Sequence, residues 1–146
     1  MYCSYLETGE LSLIRDVKKE LALPTTNEAV KRISVVLHAL RQTFSTEAAD
    51  DFLNRLPDFL KLVFASKWKR NEPRLAVEHL DELVSVVMAR DILYGENLFK
   101  TEVQTLSVVI LTLKKLLKLD ELQTFDGLSA NILQELNDVP AESAMV

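Results

Sequence analysis

The stretch Val30–Phe44, VKRISVVLHALRQTF, decides how this chain is read, because the sequence holds a second version of it. Shifting the chain by 73 positions (103 − 30) lays Val103–Leu117, VQTLSVVILTLKKLL, over it without a gap. Val30, Ile33, Ser34, Val35, Val36, Leu37 and Leu40 then meet Val103, Leu106, Ser107, Val108, Val109, Ile110 and Leu113. Farther on, Glu47 meets Asp120, Phe52 meets Phe125, Leu60 meets Leu133 and Val63 meets Leu136. Within the first copy Val30, Ile33, Leu37, Leu40 and Phe44 recur at helical spacing, and Ala29, Val36 and Ala39 widen the stripe. A stripe that wide has to be covered on more than one side.

The triplets Ser34-Val35-Val36, Ser85-Val86-Val87 and Ser107-Val108-Val109 are β-branched runs that could be buried strands. Each, however, sits inside a longer segment of helical period, and none is bounded by glycine or proline. Three glycines and four prolines in 146 residues are also too few for the turns of a sheet protein. The triplets are therefore read as helical.

Toward the N-terminus, Leu11, Ile14, Val17 and Leu21 mark an amphipathic helix from Gly9 to about Ala22, which Pro24 stops. Thr25 and Glu28 have capping-box spacing at the start of the second helix, expected over 27–44, or Thr26 caps it directly. Ser45 or Thr46 caps a short third helix, and Pro57 opens a fourth that ends in Lys67, Trp68, Lys69 and Arg70. The segment 71–74, centred on Pro73, reads as the joint between halves. Leu80, Leu83, Val84, Val87 and Met88 then repeat the first helix to about Arg90. A connector, Asp91–Lys100, carries Tyr94 and Phe99, and the next helix is either capped by Thr101 or begins earlier. Two further helices are expected over 119–128 and 129–137, followed by a frayed tail over 138–146.

A helical unit repeated in tandem, with Ala29, Val30, Val36, Leu37 and Leu40 in its second helix, then Glu47-Ala48, then Leu56-Pro57, resembles the bacterial family known as domain-of-unknown-function family 2267. Phe64 and Trp68 follow where that family often has an aromatic-rich exit. The resemblance covers about residues 11–136. It implies an all-helical tandem fold and no established activity. Ser129-Ala130 departs from the pattern, standing where a second Leu-Pro would be expected.

Chemistry-bearing residues are sparse. His38 flanks the central seam and faces Leu111 in the repeat, which fits a tolerated core-edge residue better than a ligand. His79 and Glu82 could share a helix face, yet no second such pair exists, and acids in a first turn are favoured by the helix dipole. Cys3 has no identifiable base. Gly-x-Ser-x-Gly, Gly-x-Gly-x-x-Gly and Gly-x-x-x-x-Gly-Lys are all absent from the sequence. Two segments stand above this background as a possible interaction surface: Lys67, Trp68, Lys69 and Arg70 at a helix exit, and Tyr94 with Phe99 on the connector. The first is either a docking patch for phosphate or an acidic partner, or cation placement at a helix C-terminus with Trp68 covering the core. The plainer reading of the second is an aromatic lid over the end of the core.

A net charge of −5 at pH 7 argues against nucleic acid as a partner. A single cysteine suits a reducing compartment, and residues 1–6 lack the basic start of a signal peptide, so a cytoplasmic protein is expected. The longest apolar run falls short of the ~20 residues that span a bilayer. The sequence thus predicts one all-α domain over 1–146 of about eight helices, in two similar four-helix halves over about 9–70 and 75–137. It predicts no catalytic, cofactor or metal residues. The expected role is a non-enzymatic module that binds a protein partner or itself, the alternative being a lipid or small-molecule carrier with an apolar pocket between the halves.

Overall fold

The computed structural model describes residues 9–69, 72–94, 97–117, 125 and 127–138, with the side chains of 9–11 and 94 left aside. Among these residues there are seven helices and no strand: α1 Gly9–Glu20, α2 Thr26–Thr43, α3 Thr46–Arg55, α4 Asp58–Ala65, α5 Leu80–Tyr94, α6 Glu102–Leu117 and α7 Ala130–Asp138. The all-α expectation holds, with seven described helices in place of about eight. Most of the helix expected over 119–128, like the tail after 138, lies outside the described residues.

α2 is the centre of the molecule. It packs against α1, α4, α5 and α6, as the width of its apolar stripe requires. Ala29, Ile33, Val36, Leu37, Ala39 and Leu40 are buried along it. Its start follows the capping rule: the Thr25 hydroxyl accepts the Glu28 N–H at 3.2 Å. Ser45 does the same for α3, accepting from Ala48 at 3.1 Å. α6 is buried from Val108 through Leu113 and lies against α1, α2, α5 and α7. Lys115 of α6 ties it to α1 through Asp16 at 3.2 Å and Ser12 at 2.9 Å.

Thr112 is the exception in this core. Its hydroxyl is buried and has no hydrogen-bond partner among the described residues. An unmade bond of this kind costs about 1–3 kcal/mol. Thr112→Val, which keeps the shape and removes the polar atom, is therefore expected to stabilise the protein by about 1 kcal/mol in urea denaturation.

α1 ends in a Schellman arrangement. The Leu23 N–H reaches back to the Lys18 carbonyl at 2.9 Å and the Ala22 N–H to the Lys19 carbonyl at 3.2 Å. Such an ending needs a left-handed residue, and Ala22 takes that role with φ 52°. Alanine is strained there where glycine is not. Ala22→Gly is expected to raise stability by about 0.5–1 kcal/mol, whereas the same change at Ala39, in the middle of α2, lowers it. Thermal or urea unfolding of the two variants checks the sign.

A cluster of rings fills the end of the core between α2, α3 and α4. Phe52 lies 5.2 Å from Phe44, from Phe64 and from Phe125. Gly127 is needed beside it, because a Cβ at that position would collide with the Phe125 ring.

α5 runs four residues farther than its apolar pattern implied, to Tyr94. Asp91 does not stop the helix. Its carboxylate is buried and accepts the backbone N–H groups of Leu98 at 3.0 Å and Phe99 at 2.9 Å, which ties these two residues to α5. Arg32 donates to the Leu98 carbonyl from the other side, at 3.4 Å. Thr101 caps α6 as expected, accepting from Gln104 at 3.1 Å.

Candidate functional site

The last turn of a helix leaves carbonyls without partners. α4 is short, and α2 supplies what its end lacks. His38 and Arg41 lie one turn apart on α2 and both reach the C-terminus of α4. The His38 Nε2–H donates to the Val63 carbonyl at 2.8 Å, which sets the tautomer because a carbonyl can only accept. The Arg41 guanidinium donates to the carbonyls of Phe64 at 2.6 Å and Ser66 at 2.9 Å, with a longer bond of 3.5 Å to Lys67. Lys67 turns the chain with a left-handed φ of 55°. That turn brings Trp68 edge-on to Phe64 at 5.6 Å and under Arg41, whose guanidinium carbon is 5.5 Å from the ring centroid.

The 72–75 segment closes the other end of the same arrangement. Leu75 N–H donates to the Gln42 carbonyl and Arg74 Nε to the Thr43 carbonyl, both at 2.9 Å, capping α2. Arg90 of α5 donates to Gln42 Oε1 at 2.8 Å and to Glu72 Oε2 at 3.0 Å. Between these pieces lies a cavity of about 150 Å³. Arg41 forms its buried floor, 4% exposed, and Trp68, Lys69, Arg74 and the start of α3 complete its walls.

Burial, and then the charge of Arg90, pull the Arg41 pKa down to about 10, still charged at neutral pH. His38 is shifted further. Burial, aided by the nearby cations Arg41, Arg90 and Lys67, lowers it to about 4, against the opposing bond to Val63. The imidazole is therefore neutral in the folded protein at pH 7. A depressed folded-state pKa gives stability that is complete above the unfolded value of 6.5 and is lost as pH falls from there to about 4. Between pH 7 and pH 4 the wild type is expected to lose about 2 kcal/mol more than His38→Gln, after discounting for partial exposure of the ring. Parallel urea titrations of the two proteins measure the difference.

The sequence-marked residues separate into three groups. Trp68 and Lys69 line the cavity, while Lys67 is exposed at the turn before it. Phe99 is 6% exposed and belongs to the core, held there by Asp91, as an aromatic cover would be. Arg70 and the side chain of Tyr94 lie outside the described residues. Arg41, Arg74 and Arg90 carried no local signal, because the groups they bind are distant in sequence.

His79 and Glu82 turn to different partners. Glu82 accepts the N–H groups of Glu78 at 2.7 Å and His79 at 3.1 Å, capping α5. The His79 ring bonds Glu135 of α7 at 2.7 Å, which raises the His79 pKa and lowers that of Glu135. Among the described residues no three His, Cys, Asp or Glu side chains are grouped to hold a metal ion. A second depression, about 520 Å³ in volume, runs along the solvent face of α1 between Ser12, Arg15, Asp16, Lys18 and Lys19. Neither cavity has the Leu, Val and Phe lining expected of a lipid carrier. No helix among the described residues is long and apolar enough to cross a membrane.

No curated protein matches this chain in a sequence search. A family match covers residues 11–130, from α1 to the first residue of α7. The chain thus belongs to the family described as "Uncharacterized conserved protein (DUF2267)".

Proposed function

We propose that this protein is a non-enzymatic interaction module, a helical scaffold that binds another protein or a second copy of itself through an apolar face beside the 95–101 connector. One observation carries this reading. Of six exposed large apolar side chains among the described residues, four stand on the helix ends that the connector joins. Ile92 and Leu93, 67% and 71% exposed, lie on the last turn of α5; Val103 and Leu106, 73% and 36% exposed, lie on the first turns of α6. Scattered apolar residues on a surface need no explanation, but a concentration at one place marks a contact site. Asp91 and Arg32 hold Leu98 and Phe99 in place ahead of α6, so those two residues need no ordering on binding.

The reading takes the protein as cytoplasmic, in keeping with its lone Cys3. It also takes the two halves as copies of one ancestral unit. Val35, Val36, Leu37 and Leu40 are buried, as are their counterparts Val108, Val109, Ile110 and Leu113. The copies differ where function would differ: buried Ile33 corresponds to exposed Leu106, and His38 and Arg41 correspond to Leu111 and Lys114.

The test is a comparison of wild type with Ile92→Glu/Val103→Glu, as bait in pull-down and in sedimentation velocity over a range of concentrations. The reading expects a partner or self-association present in wild type and lost in the variant, with unchanged thermal stability. Identical behaviour of the two proteins in both assays overturns it.

A further inference from the structure

We infer that the cavity floored by Arg41 is a binding site for a phosphate dianion, either free or carried as a monoester. Three cationic side chains line it, Arg41 from α2 and Lys69 and Arg74 from the segment after α4. The lining holds one carboxylate, Glu72, and that group is hydrogen-bonded to a fourth cation, Arg90. Within the lining, positive charge therefore outweighs negative. The Lys69 carbonyl accepts the Glu72 N–H at 3.0 Å, but its ammonium makes no hydrogen bond or ion pair among the described residues, and Arg74 uses its Nε on the Thr43 carbonyl. Arg41 is held in place by its bonds to the end of α4, so its charge is fixed at the floor and does not have to be ordered by the ligand.

The size and shape of the cavity select the ligand. At about 150 Å³ it lies well below the 300 Å³ where pockets for drug-sized molecules begin, which leaves room for a compact anionic group and not for a nucleotide. Guanidinium groups match the geometry of phosphate oxygens, and an ammonium adds a movable point charge at the rim. The first turn of α3, opening at Thr46 on the cavity wall, adds its dipole to this field. The remaining wall, Trp68 and Phe44, is flat and apolar and suits the carbon bearing a phosphate ester. The site is on a different face of α2 from the connector, so it stands or falls independently of the apolar face.

Isothermal titration of the full chain with inorganic phosphate and with a phosphoserine peptide, beside its unphosphorylated form, tests the inference. Saturable binding is expected, weakened at least about tenfold by Lys69→Glu and by Arg74→Gln, and unchanged by Lys100→Glu on the connector. Thermal melting of each variant identifies any that fails to fold, and Lys69→Glu, at an exposed side chain, is expected to melt with wild type. Tighter binding of the phosphopeptide assigns the site to phosphorylated side chains, and tighter binding of inorganic phosphate assigns it to small free phosphates. Absence of millimolar binding by both, or equal weakening by Lys100→Glu, overturns it.

Discussion

Phe52→Ala is expected to destabilise the protein by about 4 kcal/mol, the largest effect of a single substitution away from its helix termini. Phe52 is buried, and its ring meets three others at 5.2 Å: Phe44 at the end of α2, Phe64 in α4 and Phe125 ahead of α7. Removing it takes away the transfer energy of a large side chain and leaves a cavity bounded by rings from three separate segments. These cannot all move inward together, so the upper part of the usual 3–5 kcal/mol range, about 4, is expected. Phe52→Leu, which refills most of the volume, is expected to recover more than half of the loss. Urea denaturation of the two variants measures both. A loss under about 1.5 kcal/mol for the alanine variant would mean that the rings do not form one packed unit.

Arg41→Met has the second largest expected effect, about 3 kcal/mol. Methionine keeps the length and apolar stem of arginine, so packing is nearly conserved. What disappears is the guanidinium that serves the carbonyls of Phe64, Ser66 and Lys67, together with its contact to the Trp68 ring. The Phe64 bond is buried, and its carbonyl has little access to water as a substitute. Hydrogen exchange in the variant is expected to rise in α4 and at Trp68 while α1 and α6 keep their protection. Arg41→Lys is expected to rescue little, because one ammonium cannot span carbonyls that a planar fork reaches together.

These two residues also show why the sequence was readable in one respect and opaque in another. Phe52 sits in a helical period, and its counterpart Phe125 announced it as a core position from spacing alone. The covering of α2 on several sides, the caps Thr25, Ser45 and Thr101, and the helical state of the three Ser-Val-Val runs all follow from patterns within about one helical turn. Arg41 lies outside any such pattern. Its partners are 23 to 26 residues away, and nothing local separates it from a solvated arginine. Asp91 misled for a related reason. The apolar pattern of its helix runs out near Arg90, which left Asp91 in the connector, yet its carboxylate is buried and spends its oxygens on the backbone seven and eight residues ahead. His38 was legible as a core-edge residue, but not as the cap of α4. The cavity is assembled from the end of α2, the start of α3 and the chain after α4, so its charge could be seen only once those pieces were in place.

α2 closes the C-terminus of α4 with a neutral imidazole and a charged guanidinium. The most direct measurement is the titration of His38 by nitrogen-15 NMR. The structure predicts the Nε2-protonated neutral form, persisting through pH 6 and titrating near pH 4. A midpoint near the ordinary histidine value of about 6.5, or a proton on Nδ1 in place of Nε2, would contradict it.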